Sequence, residues 1–263
     1  HRTMKTSRDG ERRNGNTCIK LFLRETPGKT CATFTVNPGN HMKQNQLTIN
    51  NIILLNCLIV MILFLPVLSF QRVLMKNILF TAIIFFGTFS LDFVKRAQKL
   101  LIVFGAITIF LNWLDHFFPS HVLDLVFSFS FFFYNLFIVV FLVRHIAKSE
   151  KVNVTIIINS INGYLFIGIL GAVLLAMTEI LQKRIYHLDT GTINFAGGTA
   201  QGFHDFLYFS FITLTTLGYG DVTPVSAFAK SVTLIIAVTG QLYLTILVAL
   251  LVGKYISSSI ERS

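Results

Sequence analysis

Six long apolar segments constrain the fold of this chain more than any other feature of its sequence. They cover residues 52–70, 77–93, 100–118, 122–143, 154–181 and 228–256. A helix needs about 20 apolar residues to cross a hydrocarbon core about 30 Å thick, and every segment is close to that length or longer. The chain is also 53% hydrophobic and only 13% charged, which is rare in soluble domains. We therefore expect an all-α membrane protein with six spans.

The connections between these segments predict two membrane domains. Short links join the first four segments, so neighbouring helices run antiparallel in a four-helix transmembrane bundle over residues 48–150. The last two segments instead flank a long outer stretch and a short apolar run, residues 206–215, which is too short to cross a membrane. Backbone that enters the membrane and returns survives only where protein covers it or where it lines an aqueous cavity. Residues 151–263 are therefore predicted to form a two-helix pore domain.

A polar leader, residues 1–47, precedes the first span. Its Gly, Asn, Thr and Arg content favours disorder, and it lacks the apolar core of a secretory signal. The chain starts at His1, and Met42 precedes a more ordinary beginning for a membrane protein, which leaves open whether residues 1–41 are native.

The net charge of +10 is distributed as in a membrane protein, not as in a protein that binds nucleic acid. Basic residues cluster between the spans and in the leader, without a basic stripe interleaved with stacking aromatics. If both termini are cytoplasmic, the distribution follows the positive-inside tendency. The inner loops then hold Lys95, Arg96, Lys99, Arg144, Lys148 and Lys151, and the outer side holds Arg72, Lys76, Lys183, Arg184 and Lys230. We expect a multi-pass protein of the cell membrane, in contact with lipid and without a nucleic-acid partner.

The run from residue 206 to residue 221 reads FLYFSFITLTTLGYGD, and VTP and a long apolar helix follow it. This pattern resembles the pore domain of the tetrameric potassium channel family. The resemblance covers residues 154–257 well, and it covers the first four spans only as the six-span layout of prokaryotic-type subunits. It implies a re-entrant pore helix, a selectivity filter and passive conduction of K⁺ by a ring of four identical chains.

Within this resemblance, the ion selectivity filter is Thr216, Leu217, Gly218, Tyr219 and Gly220, with Leu217 where the family more often has Val or Ile. K⁺ is expected to bind main-chain oxygens of the first four of these residues, which replace its water shell. Gly218 and Gly220 suit this task because glycine adopts left-handed dihedrals without steric cost. The Thr216 hydroxyl is expected to form an innermost ring, whereas Leu217 and Tyr219 should point away and wedge the filter against the pore helix.

Residues next to the filter are expected to support it. Thr215, Tyr208 and Phe209 occupy supporting positions in the resemblance, with the Tyr208 hydroxyl directed toward Tyr219. Asp221 either raises the cation concentration at the outer mouth or acts as a hydrogen-bonded strut behind the filter, and we favour the strut. The C-terminal end of the pore helix carries a partial negative charge that favours a cation in the central cavity.

Gating is only partly readable from the sequence. The fourth span has no Lys or Arg between residues 121 and 143, so conventional voltage gating, which moves several charges across the membrane, is not expected. Gly240 and Gly253 in the last span are candidate gating hinges, although membrane helices also use glycine for close packing. Seven residues follow Ile256, so we expect no C-terminal regulatory domain in this chain, and the gating stimulus is not predicted.

These features predict a homotetrameric potassium channel that is not an enzyme and has no cofactor other than K⁺ as the permeant ion. One pore repeat per chain disfavours transporters of the Trk type, which carry four in one chain. Two alternatives stay open. One is a weakly selective cation channel on the same scaffold, and the other is a regulatory subunit that does not conduct alone.

Overall fold

Seven helices make up most of the part of the chain that the structure describes. The structure is a computed structural model and describes residues 17–19, 34–36, 38–65, 72–90, 95–118, 120–149, 153–185, 192–195, 198 and 202–260. The helices are α1 (Pro38–Phe64), α2 (Arg72–Phe89), α3 (Lys95–Phe117), α4 (His121–Lys148), α5 (Val154–Ile185), α6 (Phe203–Leu214) and α7 (Ala227–Ile260). The predicted all-α membrane protein is confirmed.

Short strands accompany the helices. They are β1 (Thr17–Ile19), β2 (Phe34–Val36), β3 (Ile193–Phe195) and β4 (Val222–Pro224). β1 pairs antiparallel with β2 in a first unit, residues 1–46, and β3 pairs antiparallel with β4 in a second unit, residues 47–263. The leader thus has regular structure at β1, β2 and the start of α1, and its other residues lie outside the described ones. Its disorder elsewhere and the domain boundaries stay predictions.

The helices differ in their ability to cross a membrane. Within the described residues, five are long and apolar enough to span, at Asn45–Phe64, Gln98–Phe117, Val122–Lys148, Val154–Gln182 and Ala227–Ile256. The apolar part of α2, Leu74–Phe89, is shorter. Its roughly 16 residues rise only about 24 Å as a helix, less than the thickness of the hydrocarbon core. The predicted second span is therefore the weakest of the six.

Proline explains where the first span ends. The predicted span runs to residue 70, but α1 ends at Phe64, and Pro66 follows in the sequence. Proline lacks a backbone N–H and disfavours helical dihedrals at the residue before it, so helices usually stop ahead of it. Within the described residues the helix of this span therefore ends before Pro66, and the end predicted at residue 70 lies outside them.

Buried polar side chains join the helices of the bundle. Tyr134 of α4 is completely buried, and its hydroxyl donates to the carbonyl of Ile84 at 2.7 Å and bonds the Thr88 hydroxyl at 3.0 Å. Trp113 of α3 donates its indole N–H to the Thr81 hydroxyl at 3.1 Å. Hydrogen bonds of this kind stabilise helix contacts in lipid, where apolar burial alone contributes little.

The second half of the chain is built around α5, which packs against α4, α6 and α7. Two glycines permit the close approach of α6. A Cβ on Gly168 would lie 2.3 Å from the Phe211 ring, and one on Gly171 would lie 2.4 Å from the Ser210 hydroxyl. Ser210 is completely buried and donates to the carbonyl of Gly168 at 2.6 Å. α6, which begins slightly earlier than the predicted residue 206, is therefore held at a fixed position along α5.

Candidate functional site

The TTLGYGD segment, residues 215–221, follows directly on α6 and is anchored to it. The backbone N–H groups of Leu217 and Gly218 both donate to the carbonyl of Ile212, at 2.9 and 3.1 Å. Carbonyls in the last turn of a helix have no intrahelical donor, so these bonds satisfy one of them. The segment therefore leaves the end of α6 in a defined direction.

Two threonines reinforce this junction. The Thr215 hydroxyl donates to the carbonyl of Phe211 at 2.7 Å, and the backbone N–H of Thr216 donates to the carbonyl of Thr213 at 3.0 Å. The Thr216 hydroxyl donates to the neighbouring carbonyl of Thr215 at 2.6 Å. The hydroxyl that was expected to line an innermost oxygen ring is thus engaged with its own backbone, although its oxygen keeps lone pairs for a further contact.

The sign of φ alternates along the segment. It is +58° at Thr216, +48° at Gly218 and +84° at Gly220, and it is negative at Leu217 and Tyr219. The left-handed dihedrals predicted for the two glycines are confirmed. The positive φ of Thr216 was not predicted, and in a β-branched residue it marks backbone strain of the kind that collects at functional sites. Positive φ at every second residue turns the backbone at each of these positions, so the segment does not continue as a helix or a regular strand.

The side chains between these positions are exposed. Leu217 is 54% and Tyr219 is 69% exposed. In a single chain these side chains lie open, so the expectation that they wedge the filter against the pore helix stays a prediction. Phe209 lies on the buried side of α6 and is only 3% exposed, so it supports the packing of α6 in the core.

Asp221, at the end of the segment, is bonded to α6. The Tyr208 hydroxyl donates to a carboxylate oxygen of Asp221 at 2.6 Å, so the expected direction of this hydroxyl toward Tyr219 is wrong. The bond raises the pKa of Tyr208 to about 12, because ionisation would remove the donor and place two negative charges together. Tyr208 therefore stays a donor at physiological pH. The geometry matches the strut that was favoured for Asp221.

Tyr208→Phe is expected to weaken the end of the segment without altering its backbone oxygens. A bond between a hydroxyl and a carboxylate contributes about 1 kcal/mol at a partly exposed site, which corresponds to about a fivefold change in a rate. If the chain conducts, its macroscopic current should decline about fivefold faster during sustained recording, with the ion preference unchanged. Asp221→Asn, which keeps an oxygen acceptor, should have a smaller effect. A current of unchanged time course in Tyr208→Phe would show that this bond is not a support.

A two-stranded sheet fixes the chain after the segment. β4 begins directly after Asp221 and pairs with β3, with Val222 opposite Phe195. Next to β3, the carbonyl of Thr192 accepts the N–H of Val225 at 2.9 Å. The buried carboxylate of Glu179 on α5 in turn accepts the N–H of Thr192 at 2.9 Å and also its hydroxyl. The segment is therefore held at both ends, by α6 before it and by α5 through β3 and β4 after it.

α7 closes the site from the other side. A Cβ on Gly240 would lie 2.5 Å from the carbonyl oxygen of Leu214, the last residue of α6. One helical turn further along α7, the Tyr243 hydroxyl donates to the carbonyl of Ser160 on α5 at 2.7 Å. Gly240 is thus a position of close packing, one of the two roles expected for it, and any hinge role stays a prediction.

Gly253, the second candidate hinge, has a different environment. A Cβ there would meet no atom of the described residues within 4 Å, and α7 continues without a break through both glycines to Ile260. Packing against the described residues therefore gives no reason for glycine at this position. Its role in bending stays a prediction.

The site lies within a region that matches a known family. Residues 173–257 match the model of a family described as Ion channel, over about a third of the chain. The match begins in α5 and contains α6, the TTLGYGD segment and most of α7. No curated protein and no solved structure matches the chain. The match supports a passive ion channel in a multi-pass membrane protein and points to a transport role instead of an enzymatic one.

Several residues that hold the site were not singled out from the sequence. Gly168, Gly171 and Ser210 set the contact between α5 and α6, and Glu179 tethers Thr192. The small-residue spacing on α5 is a signal for close helix packing in membranes and was available in the sequence. The bond between Glu179 and Thr192 has no local signal in the sequence, because Thr192 lies outside the regular elements.

Proposed function

We propose that the chain is one of four identical subunits of a potassium-selective channel, with residues 216–220 as its selectivity filter. The ion channel match supports a conducting role, and the short α6 between two helices of spanning length supports a pore loop. The alternating φ from Thr216 to Gly220 carries the proposal. A dehydrated K⁺ needs several oxygens directed at one axis, and in the proposed filter the backbone turns at these positions direct successive carbonyls to that axis.

The surface that one chain leaves uncovered supports assembly as a tetramer. Only 17% of the apolar window of α7 is buried, compared with 61% for α5. Leu217 and Tyr219 are exposed at the same site. One chain supplies only one row of oxygens, so several copies must each contribute a row to surround an ion. In the proposed tetramer, three further copies cover the free surface of α7 and pack against the exposed side chains of the filter.

The rest of the proposal concerns the membrane and gating. The protein lies in the cell membrane in contact with lipid, with both termini cytoplasmic. K⁺ is the permeant ion, and no other cofactor is proposed. The basic residues Arg144 and Lys148 lie in the last turns of α4, where long side chains reach the interface, so α4 is not proposed as a voltage sensor.

Reconstitution of the purified chain in liposomes tests the function. We expect K⁺ efflux down its gradient, with Na⁺ flux lower by at least about 100-fold, a difference of about 2.7 kcal/mol in the barrier. Equal permeability to the two ions would instead identify a weakly selective cation channel. Purified tetramers that pass no ion under any condition would identify a regulatory subunit. Either result contradicts the proposal.

A further inference from the structure

One side chain joins the inner end of α7 to the end of the bundle. The Lys254 ammonium donates to the carbonyl of Ile146 at 2.6 Å and to that of Ala147 at 3.1 Å. Lys254 lies 107 residues after Ala147, so this is a tertiary contact between the last bundle helix and the last helix of the chain. We call these two bonds the Lys254 latch.

The latch occupies carbonyls that α4 does not satisfy itself. α4 ends at Lys148, and the last four carbonyls of an α-helix have no intrahelical donor. These carbonyls carry the partial negative charge of the helix end, which favours a cation. Arg144 and Lys148 add positive charge to the same helix end, so net charge does not attract Lys254 there. Hydrogen bonds from an ammonium to these oxygens hold the contact, and charge-assisted bonds are the stronger class.

The position of the latch along α7 makes it sensitive to movement. Gly240 packs on the end of α6, and Tyr243 bonds to α5, so α7 is fixed at that level. At 1.5 Å per residue, Lys254 lies about 21 Å further along the helix than Gly240. A small rotation of α7 about the level of Gly240 and Tyr243 therefore moves Lys254 by more than the change in distance that a hydrogen bond tolerates. The latch forms in one position of the inner end and breaks in others.

We propose that the Lys254 latch holds the inner end of α7 outward, beside the bundle, and so favours the open pore. α5 packs against both α4 and α7, so the anchor on α4 lies on the α5 side of α7. The unburied side of α7 faces the opposite way, which is toward the axis in the proposed tetramer. Without the latch, the inner ends are free to move toward the axis and close it. This inference rests on the proposed channel function.

Single-channel recording of the full-length chain in planar bilayers tests the latch. Lys254→Met removes the donor and keeps an unbranched apolar side chain, and we expect it to lower the equilibrium constant for opening about tenfold. Lys254→Arg keeps the donors and should stay within about twofold of the wild type. Lys148→Met removes a positive charge at the same membrane face without touching the latch, and it should also stay within about twofold. An opening equilibrium in Lys254→Met that equals or exceeds that of the wild type would overturn the proposal.

A second measurement separates the latch from the channel function. Amide hydrogen exchange over residues 250–260 measures how readily this helix end opens, whether or not the protein conducts. We expect about tenfold faster exchange in Lys254→Met than in the wild type and in Lys254→Arg. Equal exchange in all three proteins would rule out the latch. A wild type that carries no current, but shows the expected exchange, would reject the channel proposal and leave the contact itself established.

Discussion

Gly218→Ala is expected to abolish selective K⁺ flux through the reconstituted protein. Gly218 has a φ of +48°, and a side chain in the left-handed region costs about 1–2 kcal/mol in each chain. In the proposed ring of four chains the strain adds to about 4–8 kcal/mol, unless the peptide group turns and removes its carbonyl from the proposed ion path. Either outcome changes the oxygens that the ion meets. Liposome flux, recorded separately for K⁺ and Na⁺, measures the loss of selective K⁺ flux directly.

The chain offers a matched control for this substitution. Gly198 also has a positive φ, +104°, and an added Cβ there, as at Gly218, would meet no described residue within 4 Å. Gly198→Ala therefore also introduces backbone strain, but outside the TTLGYGD segment. It should leave K⁺ flux and ion preference as in the wild type. Undiminished selective flux in Gly218→Ala, or an equal loss in both variants, would remove the filter assignment.

Gly240→Ala is expected to destabilise the protein through a clash with the end of α6. The new Cβ would lie 2.5 Å from the Leu214 carbonyl oxygen and 2.8 Å from its Cδ1. The side chain can rotate, but the backbone oxygen cannot, so α7 and α6 must separate. Overpacking of this kind costs about 1–3 kcal/mol, and the better helix propensity of alanine offsets about 1 kcal/mol of it, so the midpoint of thermal unfolding should fall by about 3 °C in a chain of this size. Thermal unfolding of the purified protein in detergent measures the shift.

Gly253→Ala is the control for Gly240→Ala, because both change glycine to alanine within α7 and no described residue would contact a Cβ at Gly253. Alanine is a better helix former than glycine by about 1 kcal/mol, so Gly253→Ala should leave stability unchanged or raise it. If Gly240 acted only as a hinge, Gly240→Ala would raise stability in the same way and alter gating alone. A raised midpoint in Gly240→Ala would therefore contradict the packing role.

The parts of the site that follow from local chemistry were predictable from the sequence. The positive φ of Gly218 and Gly220 was predictable because glycine is the residue type that adopts such dihedrals freely. The TTLGYGD motif shows where to expect them. Segment length predicts α5 and α7 in the same way, since a span needs a minimum number of apolar residues. Even the early end of α1 had a local signal, in Pro66.

The contacts between distant segments were not predictable. The Tyr208 hydroxyl bonds Asp221 and not Tyr219, which depends on how the segment folds back past α6. Thr216 adopts a positive φ that its own preferences oppose, because its neighbours on α6 fix it there. The sequence indicates only that Lys254 is a basic residue near the end of the last span. Its hydrogen-bond partners are carbonyls on another helix, which the sequence does not indicate. Each of these contacts depends on how distant segments pack, and the sequence of one segment does not predict that packing.

The position of the permeant ion tests the assignment of residues 216–220 most directly. Crystals of the assembled protein grown with Rb⁺ in place of K⁺ allow the ion to be located by anomalous scattering. We expect a row of Rb⁺ peaks on a fourfold axis, each in contact with main-chain oxygens between Thr216 and Tyr219. An assembly without a fourfold axis at Tyr219, or Rb⁺ bound only to side chains elsewhere, would contradict the proposed filter.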